Sequence, residues 1–136
     1  MGLVDLDNLI HPGMNREETF QVEERYAALS VGSGTARVLA TPWMITFMER
    51  VSHHLLAEHL PEGYSSVGIH VDVRHLAPTP VGMAVRIRSE VSEVNGFQVA
   101  FLVQSWDDIE LVGEGRHQRM VIEEARFLRR VEKKRG

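Results

Sequence analysis

Residues 41–60 predict a helix that is hydrophobic around well over half of its circumference. A helix of this kind is too apolar to lie on a protein surface, so the rest of the chain must largely enclose it. Thr41 suits the N-cap and Pro42 the first helical position, whereas Pro61 and Gly63 are typical of a helix end. The apolar side chains are Trp43, Met44, Ile45, Phe47, Met48, Val51, Leu55 and Leu56.

The segments on both sides of this helix predict strands. Alternation of apolar and polar residues indicates one strand before the helix, at residues 19–29. Four more strands follow the helix and are joined by short turns, among them Asn95-Gly96, which is typical of antiparallel hairpins. These four strands are residues 66–76, 83–94, 97–106 and 109–123.

One antiparallel sheet wrapped around one long central helix satisfies this order of elements most economically, so we predict an α+β fold. The chain of 136 residues suffices for one such domain, which we expect at residues 18–136. Residues 1–17 are rich in turn-forming residues and predict an irregular N-terminal arm. Gly113 and Gly115 lie in the last strand, where glycine is typical either of close approach by another element or a ligand, or of a β-bulge.

The composition excludes several classes of function. The chain has no cysteine, which excludes disulfides, thiolate metal sites and cysteine nucleophiles. Its formal net charge of −4 argues against a nucleic-acid-binding protein, and the basic run at residues 126–135 is interpreted as a solvated tail. No apolar run approaches the roughly 20 residues of a membrane span, and the first residues lack the features of a secretory signal. We therefore expect a cytoplasmic protein that binds neither nucleic acid nor membranes.

A histidine occupies an apolar position in the first strand after the helix. Residues 69–75 alternate apolar and polar side chains, so that Ile69, Val71 and Val73 share a face that we expect to be buried. His75 follows on that same face, while polar residues take the opposite, wetter face. A core or edge histidine with satisfied hydrogen bonds is one interpretation, and half of an acid–base pair is the other.

The helix carries a candidate carboxylate, Glu49, among large hydrophobic residues. If Glu49 is buried, its charge needs a partner, and His75 is a candidate; the alternative is a surface glutamate beside Arg50. N-capping alone explains Thr41, although a helix N-terminus also suits an anionic or developing oxyanion group. A glutamate and a histidine that each interrupt an apolar pattern are typical of an acid–base site.

The remaining histidines do not predict a metal site. His53, His54 and His59 lie on the helix, where adjacent side chains point about 100° apart and cannot easily share an ion. None of them has the acidic or thiolate neighbours that complete a typical zinc site.

Three motifs carry a resemblance to a known family. The first is Ala40-Thr41-Pro42-Trp43-Met44 followed by Met48-Glu49; the second is Gly68 followed by His75-Leu76-Ala77-Pro78-Thr79-Pro80-Val81-Gly82; the third is Gly113-Glu114-Gly115-Arg116-His117-Gln118-Arg119. Together they resemble the hot-dog-fold thioesterases of the fluoroacetyl-CoA thioesterase type. The resemblance extends from about residue 18 to about residue 130, and the spacing of threonine, glutamate and histidine makes it fairly specific.

The resemblance implies a hot-dog fold and hydrolysis of an acyl-CoA thioester by Thr41, Glu49 and His75. Glu49 would be the nucleophile or the base for water, His75 the acid and base, and Thr41 would position Glu49 or the thioester carbonyl. Substrate contacts are expected at Gly68, Arg119 and Trp43. The resemblance also implies a homodimer with its site at the interface, or a dimer of such dimers, with no metal and no cofactor except the coenzyme A of the substrate.

Two departures from the family favour a general acyl-CoA thioesterase over fluoroacetyl selectivity. The fluoroacetyl-CoA enzyme follows its threonine with Gly-Phe, whereas this chain has Pro42-Trp43. That enzyme also uses phenylalanines before the helix as a lid, whereas residues 31–40 contain no aromatic residue. The alternatives are a hot-dog hydratase or dehydratase, whose expected Asp and His pair we do not find, and a non-catalytic acyl-CoA-binding module.

Overall fold

Stretches of alternating apolar and polar residues form the strands of a single sheet. The structure, a computed structural model, describes residues 4–136. The elements are, in chain order, β1 (Asn15–Gln21), α1 (Ala28–Val31), α2 (Thr41–Ala57), β2 (Tyr64–His75), β3 (Ala84–Asn95), β4 (Gln98–Trp106), β5 (Leu111–Glu123) and α3 (Glu124–Glu132).

The sheet wraps around α2, as the apolar pattern of that helix predicts. All neighbouring strands pair antiparallel in the order β1-β3-β4-β5-β2, so that β2 forms one edge of the sheet. Helix α2 contacts all five strands, and Phe47, Met48 and Val51 on it are at most 1% exposed. The predicted α+β architecture with one central helix is therefore confirmed.

Gly113 of β5 faces the side chain of Met44 on α2. A Cβ atom at this position would be 2.4 Å from Met44 Sδ on α2, which is closer than any real side chain permits. A Cβ at Gly115 would be 2.2 Å from the backbone oxygen of Asp72 on β2. Close approach by another element is therefore confirmed, and the register between β4 and β5 also shifts beside Gly113.

The first strand is shorter than predicted and lies earlier in the chain. It ends at Gln21 because this residue pairs with Ala84, the first residue of its partner strand β3. The predicted strand at residues 19–29 is therefore wrong beyond Val22, whose N–H still bonds to the carbonyl of Met83. The chain then forms a 3-10 turn and α1, which places the ring of Tyr26 in the core.

Residues before β1 contribute to the core. Leu6 is 3% exposed and Ile10 is 1% exposed, and both belong to the main apolar cluster. The predicted arm, residues 1–17, overlaps β1 at residues 15–17, and its residues 1–3 lie outside the described part of the chain.

Strand β2 leaves apolar side chains uncovered. Ile69 is 45% exposed and Val71 is 40% exposed, so their predicted burial is wrong within a single chain. One reason is a bulge, since the register with β5 shifts between Gly68 and His70. The other is that β2 has β5 as its only neighbour, with nothing paired to its outer edge among residues 4–136.

The basic run at the C-terminus is helical, whereas the sequence predicts only a solvated tail. Helix α3 contains much of it, and none of the residues of α3 is buried, as expected for a solvated segment. No helix within residues 4–136 is both long and apolar enough to cross a membrane.

Candidate active site

Thr41 is bonded to His75 and does not cap its helix. Ala40 is the N-cap residue and Thr41 is the first residue of α2, so N-capping by its hydroxyl is a wrong interpretation. Thr41 Oγ1 instead lies 2.7 Å from His75 Nδ1, a normal hydrogen-bond distance. The bond between Leu39 N and the Thr79 carbonyl, 2.8 Å long, holds the segment before α2 against the loop that follows His75.

His75 has one satisfied and one unsatisfied nitrogen. Its Nε2 is buried without a hydrogen-bond partner among the described residues, and burial lowers the pKa of the imidazole below its usual range. A neutral histidine next to a hydroxyl can act as its base. A cleft of about 320 Å³ opens beside the pair, with Ala28, Ser33 and Val38 in its lining and no phenylalanine, tyrosine or tryptophan.

Glu49 forms a second cluster with Gly68 and Arg119. Glu49 Oε2 is 3.5 Å from Arg119 Nη1, and the Glu49 side chain is 41% exposed whereas that of Arg119 is 8% exposed. A Cβ at Gly68 would be 2.4 Å from Glu49 Oε2. A larger residue at position 68 would displace the carboxylate from this position, so the structure brings together three of the residues predicted for the site.

The two clusters are separate within one chain. Thr41 and Glu49 are eight positions apart on α2, which corresponds to about 12 Å along the helix axis. Glu49 bonds to Arg119, whereas His75 bonds to Thr41. The glutamate–histidine pair considered from the sequence is therefore not formed inside a single copy of the chain.

Trp43 lies in an aromatic cluster away from the cleft beside Thr41. Its ring centroid is 4.3 Å from that of Tyr26 and 5.8 Å from that of Phe47. The guanidinium of Arg50 lies 5.7 Å from the Trp43 centroid. The side chain thus packs on the core, and its contact with substrate stays a prediction.

Sequence reasoning missed Ser66 and His117, which surround Arg119. Arg119 donates from Nε to Ser66 Oγ (2.9 Å), from Nη2 to the Ser66 carbonyl (3.1 Å) and from Nη1 to His117 Nε2 (3.1 Å). Burial lowers the pKa of His117, and the nearby charge of Arg119 lowers it further. The hydrogen bond to the His70 carbonyl opposes this shift. The signal was present in β5, where alternate positions carry Gly113, Gly115, His117 and Arg119 in place of aliphatic residues.

The lowered histidine pKa values predict that acid destabilises the fold. Burial lowers the pKa of His53, His75 and His117 below the usual 6.5. The fold keeps them neutral, whereas the unfolded chain binds protons as the pH drops through that value. We expect the free energy of unfolding to be highest above pH 6.5 and to decrease on acidification, by at most about 1.4 kcal/mol per pH unit for each histidine.

Urea unfolding at several values between about pH 8 and about pH 5 measures this dependence. His117→Gln is expected to flatten the profile because it removes one of the three groups. His11→Gln is the matched control, since His11 is exposed. A free energy of unfolding that stays constant over this range contradicts the prediction.

No three histidine, aspartate or glutamate side chains within residues 4–136 are grouped closely enough to hold a metal ion.

Comparisons with known proteins agree on one family. A family model described as fluoroacetyl-CoA-specific thioesterase matches residues 22–125, which include every predicted site residue. The fluoroacetyl-CoA thioesterase of Streptantibioticus cattleyicolor is 33% identical over 97 residues, which are 71% of this chain and 70% of that protein.

Solved structures show the same fold. A structure of a fluoroacetyl-CoA thioesterase superposes with a TM-score of 0.87 at 27% identity, covering 92% of this chain and 97% of that one. A hot-dog-like protein from Thermanaerovibrio acidaminovorans superposes with a TM-score of 0.91 at 25% identity, covering 98% of both chains. The predicted hot-dog fold is therefore confirmed.

Proposed function

The chain belongs to the fluoroacetyl-CoA-specific thioesterase family, and we propose that Thr41, Glu49 and His75 perform its chemistry at a site shared by two copies of the chain. It is an acyl-CoA thioesterase. The observation that carries the residue assignment is the 2.7 Å contact between Thr41 Oγ1 and His75 Nδ1 beside an open cleft. Gly68 and Arg119 are proposed to contact the substrate next to Glu49.

The proposed roles follow from the hydrogen bonds. In hydrolysis a water oxygen bonds to the acyl carbon, the C–S bond breaks, and CoA leaves as a thiol. Glu49 acts either as the nucleophile that forms an acyl-enzyme or as the base that takes a proton from water. If Thr41 donates to Nδ1 of neutral His75, the imidazole carries its proton on Nε2. His75 can then donate this proton to the sulfur of the leaving CoA.

The free edge of β2 supports a homodimer. Exposed edge strands with apolar side chains, here Ile69 and Val71, are usually paired or covered. Two β2 edges related by a two-fold axis would pair antiparallel and extend the sheet across both chains. Because antiparallel pairing reverses the strand, the Gly68 end of one copy would lie near the His75 end of the other.

This arrangement would complete the site. Glu49 lies beside Gly68 and Thr41 lies beside His75, so pairing of the two β2 strands would bring the carboxylate of one copy towards the Thr41–His75 pair of the other. A dimer of such dimers and a cytoplasmic location are further parts of the proposal.

The cleft supports a general acyl-CoA substrate. No aromatic ring of phenylalanine, tyrosine or tryptophan narrows it, and the neighbouring Leu29 and Val31 are 49% and 41% exposed. We therefore do not expect the selectivity for fluoroacetyl-CoA that the name of the Streptantibioticus cattleyicolor relative describes.

A panel of CoA esters tests the proposal. Purified protein is mixed with fluoroacetyl-, acetyl-, butyryl-, octanoyl- and crotonyl-CoA, and free thiol is measured with a thiol-reactive dye. We expect thiol release from several saturated esters, with fluoroacetyl-CoA favoured by less than about tenfold. Loss of crotonyl absorbance without thiol release would indicate a hydratase, and binding of the esters without either reaction would indicate a binding module.

A further inference from the structure

Arg119 is a buried cation whose hydrogen bonds fix the protonation of its neighbours. A guanidinium has only donors, so every polar atom in contact with it must accept. Ser66 Oγ accepts from Arg119 Nε, and the hydroxyl hydrogen of Ser66 is therefore free to donate to His53 Nδ1, 2.8 Å away. His53 is neutral in this arrangement, in accord with a pKa that burial lowers.

The same reasoning assigns one tautomer to His117. Its Nε2 accepts from Arg119 Nη1, so its proton is on Nδ1, which lies 2.8 Å from the His70 carbonyl and donates to it. His117 is 1% exposed, and its ring is inclined by 27° to that of Phe101 with centroids 6.1 Å apart. The imidazole is therefore fixed by packing and by both of its nitrogens.

These contacts leave only Nη1 of Arg119 to interact with Glu49. Nε and Nη2 are bonded to Ser66, and Nη1 is shared between His117 and the Glu49 carboxylate. Glu49 has no other ion-pair partner among the described residues and is 41% exposed, so its position depends on Arg119.

We propose that Ser66 and His117 are positioning residues that hold Arg119 against Glu49 and thereby set the carboxylate for attack or for activation of water. This inference rests on the proposed role of Glu49. The groups that face the imidazole of His117 are Glu49 from α2, His70 from β2 and Arg119 from its own strand. Neither Ser66 nor His117 needs to contact the substrate, because both act through the guanidinium.

Two substitutions of His117 separate its two hydrogen bonds. His117→Gln places an amide oxygen near the position of Nε2 and keeps an acceptor for Arg119. His117→Asn places its amide near the position of Nδ1 and keeps the donor to the His70 carbonyl, but it has no acceptor for Arg119 Nη1. We expect His117→Asn to lower kcat about tenfold with KM changed less than about twofold, and His117→Gln to stay within about threefold of the wild-type kcat.

Ser66→Ala provides an independent variant on the other side of the guanidinium. It removes the acceptor for Nε, and we expect a loss of kcat similar to that of His117→Asn. The double variant should lose less than the product of the two single effects, because both substitutions release the same side chain. Equal losses of kcat in His117→Gln and His117→Asn, or fully multiplicative losses in the double variant, would overturn the proposal.

A spectroscopic readout keeps this test apart from the test of the enzymatic activity. A held guanidinium rotates slowly and gives separate NMR resonances for its Nη hydrogens, whereas a released one gives averaged signals. We expect separate Arg119 resonances in wild type and His117→Gln, and faster exchange in His117→Asn, where Nη1 has lost its acceptor while the bonds to Ser66 remain. Averaged signals in wild type would overturn the proposal even if thiol is released, whereas separate signals without thiol release from any ester would leave the positioning intact and refute the activity.

Discussion

Glu49→Gln and His75→Ala are each expected to lower kcat for thiol release by at least about 100-fold, the usual scale for acid–base groups. Glutamine keeps the volume of Glu49 and its contact with Arg119 but has no negative charge with which to attack the acyl carbon or accept a proton from water. Alanine at position 75 removes the imidazole that Thr41 contacts at 2.7 Å. The measurement is a steady-state assay with the CoA ester that the wild-type protein hydrolyses fastest.

Two substitutions at Thr41 are the matched controls for this result. Thr41→Ser keeps the hydroxyl and is expected to retain most of the rate, whereas Thr41→Val keeps the volume, removes the hydroxyl and should lose activity. Circular dichroism melting of all variants identifies any that fail to fold. Unchanged rates in both Glu49→Gln and His75→Ala would refute the site assignment, and equal rates in Thr41→Ser and Thr41→Val would remove Thr41 from it.

Local patterns in the sequence were sufficient to predict the central helix and the order of strands. The apolar coverage of residues 41–60 required an enclosing sheet, and Asn95-Gly96 indicated an antiparallel hairpin that the structure contains between β3 and β4. These features depend on neighbours within a few positions, where periodicity and turn chemistry are informative. His75 was detected for the same reason, because it interrupts an alternating pattern.

Features set by distant parts of the chain could not be predicted in this way. The end of β1 depends on where β3 begins, more than sixty positions later. The sequence predicts Thr41 as the N-cap, whereas the N-cap in the structure is Ala40, one residue earlier. The Thr41 hydroxyl therefore bonds to His75 and not to the helix backbone. The local sequence is compatible with either residue as the N-cap, so only the three-dimensional arrangement distinguishes the two.

The prediction that Ile69 and Val71 are buried is wrong for a single chain, and the reason is informative. Their alternation correctly indicated a strand with an apolar face, but a pattern does not say whether the covering surface belongs to the same chain. Their exposure of 45% and 40% in one copy is what a strand at a subunit interface would show. The error therefore suggests where to test the proposed dimer.

Complementation between two inactive variants tests whether the site is shared between copies. Glu49→Gln and Thr41→Val chains carrying different affinity tags are coexpressed, and the mixed dimer is isolated through both tags. In a shared site, the intact Glu49 of one chain meets the intact Thr41 and His75 of the other, so one of the two sites is complete. We expect about half of the wild-type kcat per dimer, which is a rise of at least about fiftyfold over Glu49→Gln alone.

The matched control pairs Thr41→Val with His75→Ala. Thr41 and His75 contact each other within one chain, so this mixed dimer has no complete site under either arrangement and should stay inactive. Recovery with Glu49→Gln and none with the control is the pattern that two β2 edges paired antiparallel would produce, because that pairing moves Gly68 and Glu49 of one copy towards His75 of the other. An inactive Glu49→Gln and Thr41→Val dimer would instead mean that each chain completes its own site. In that case Glu49 would have to reach His75 by a rearrangement of α2 against β2.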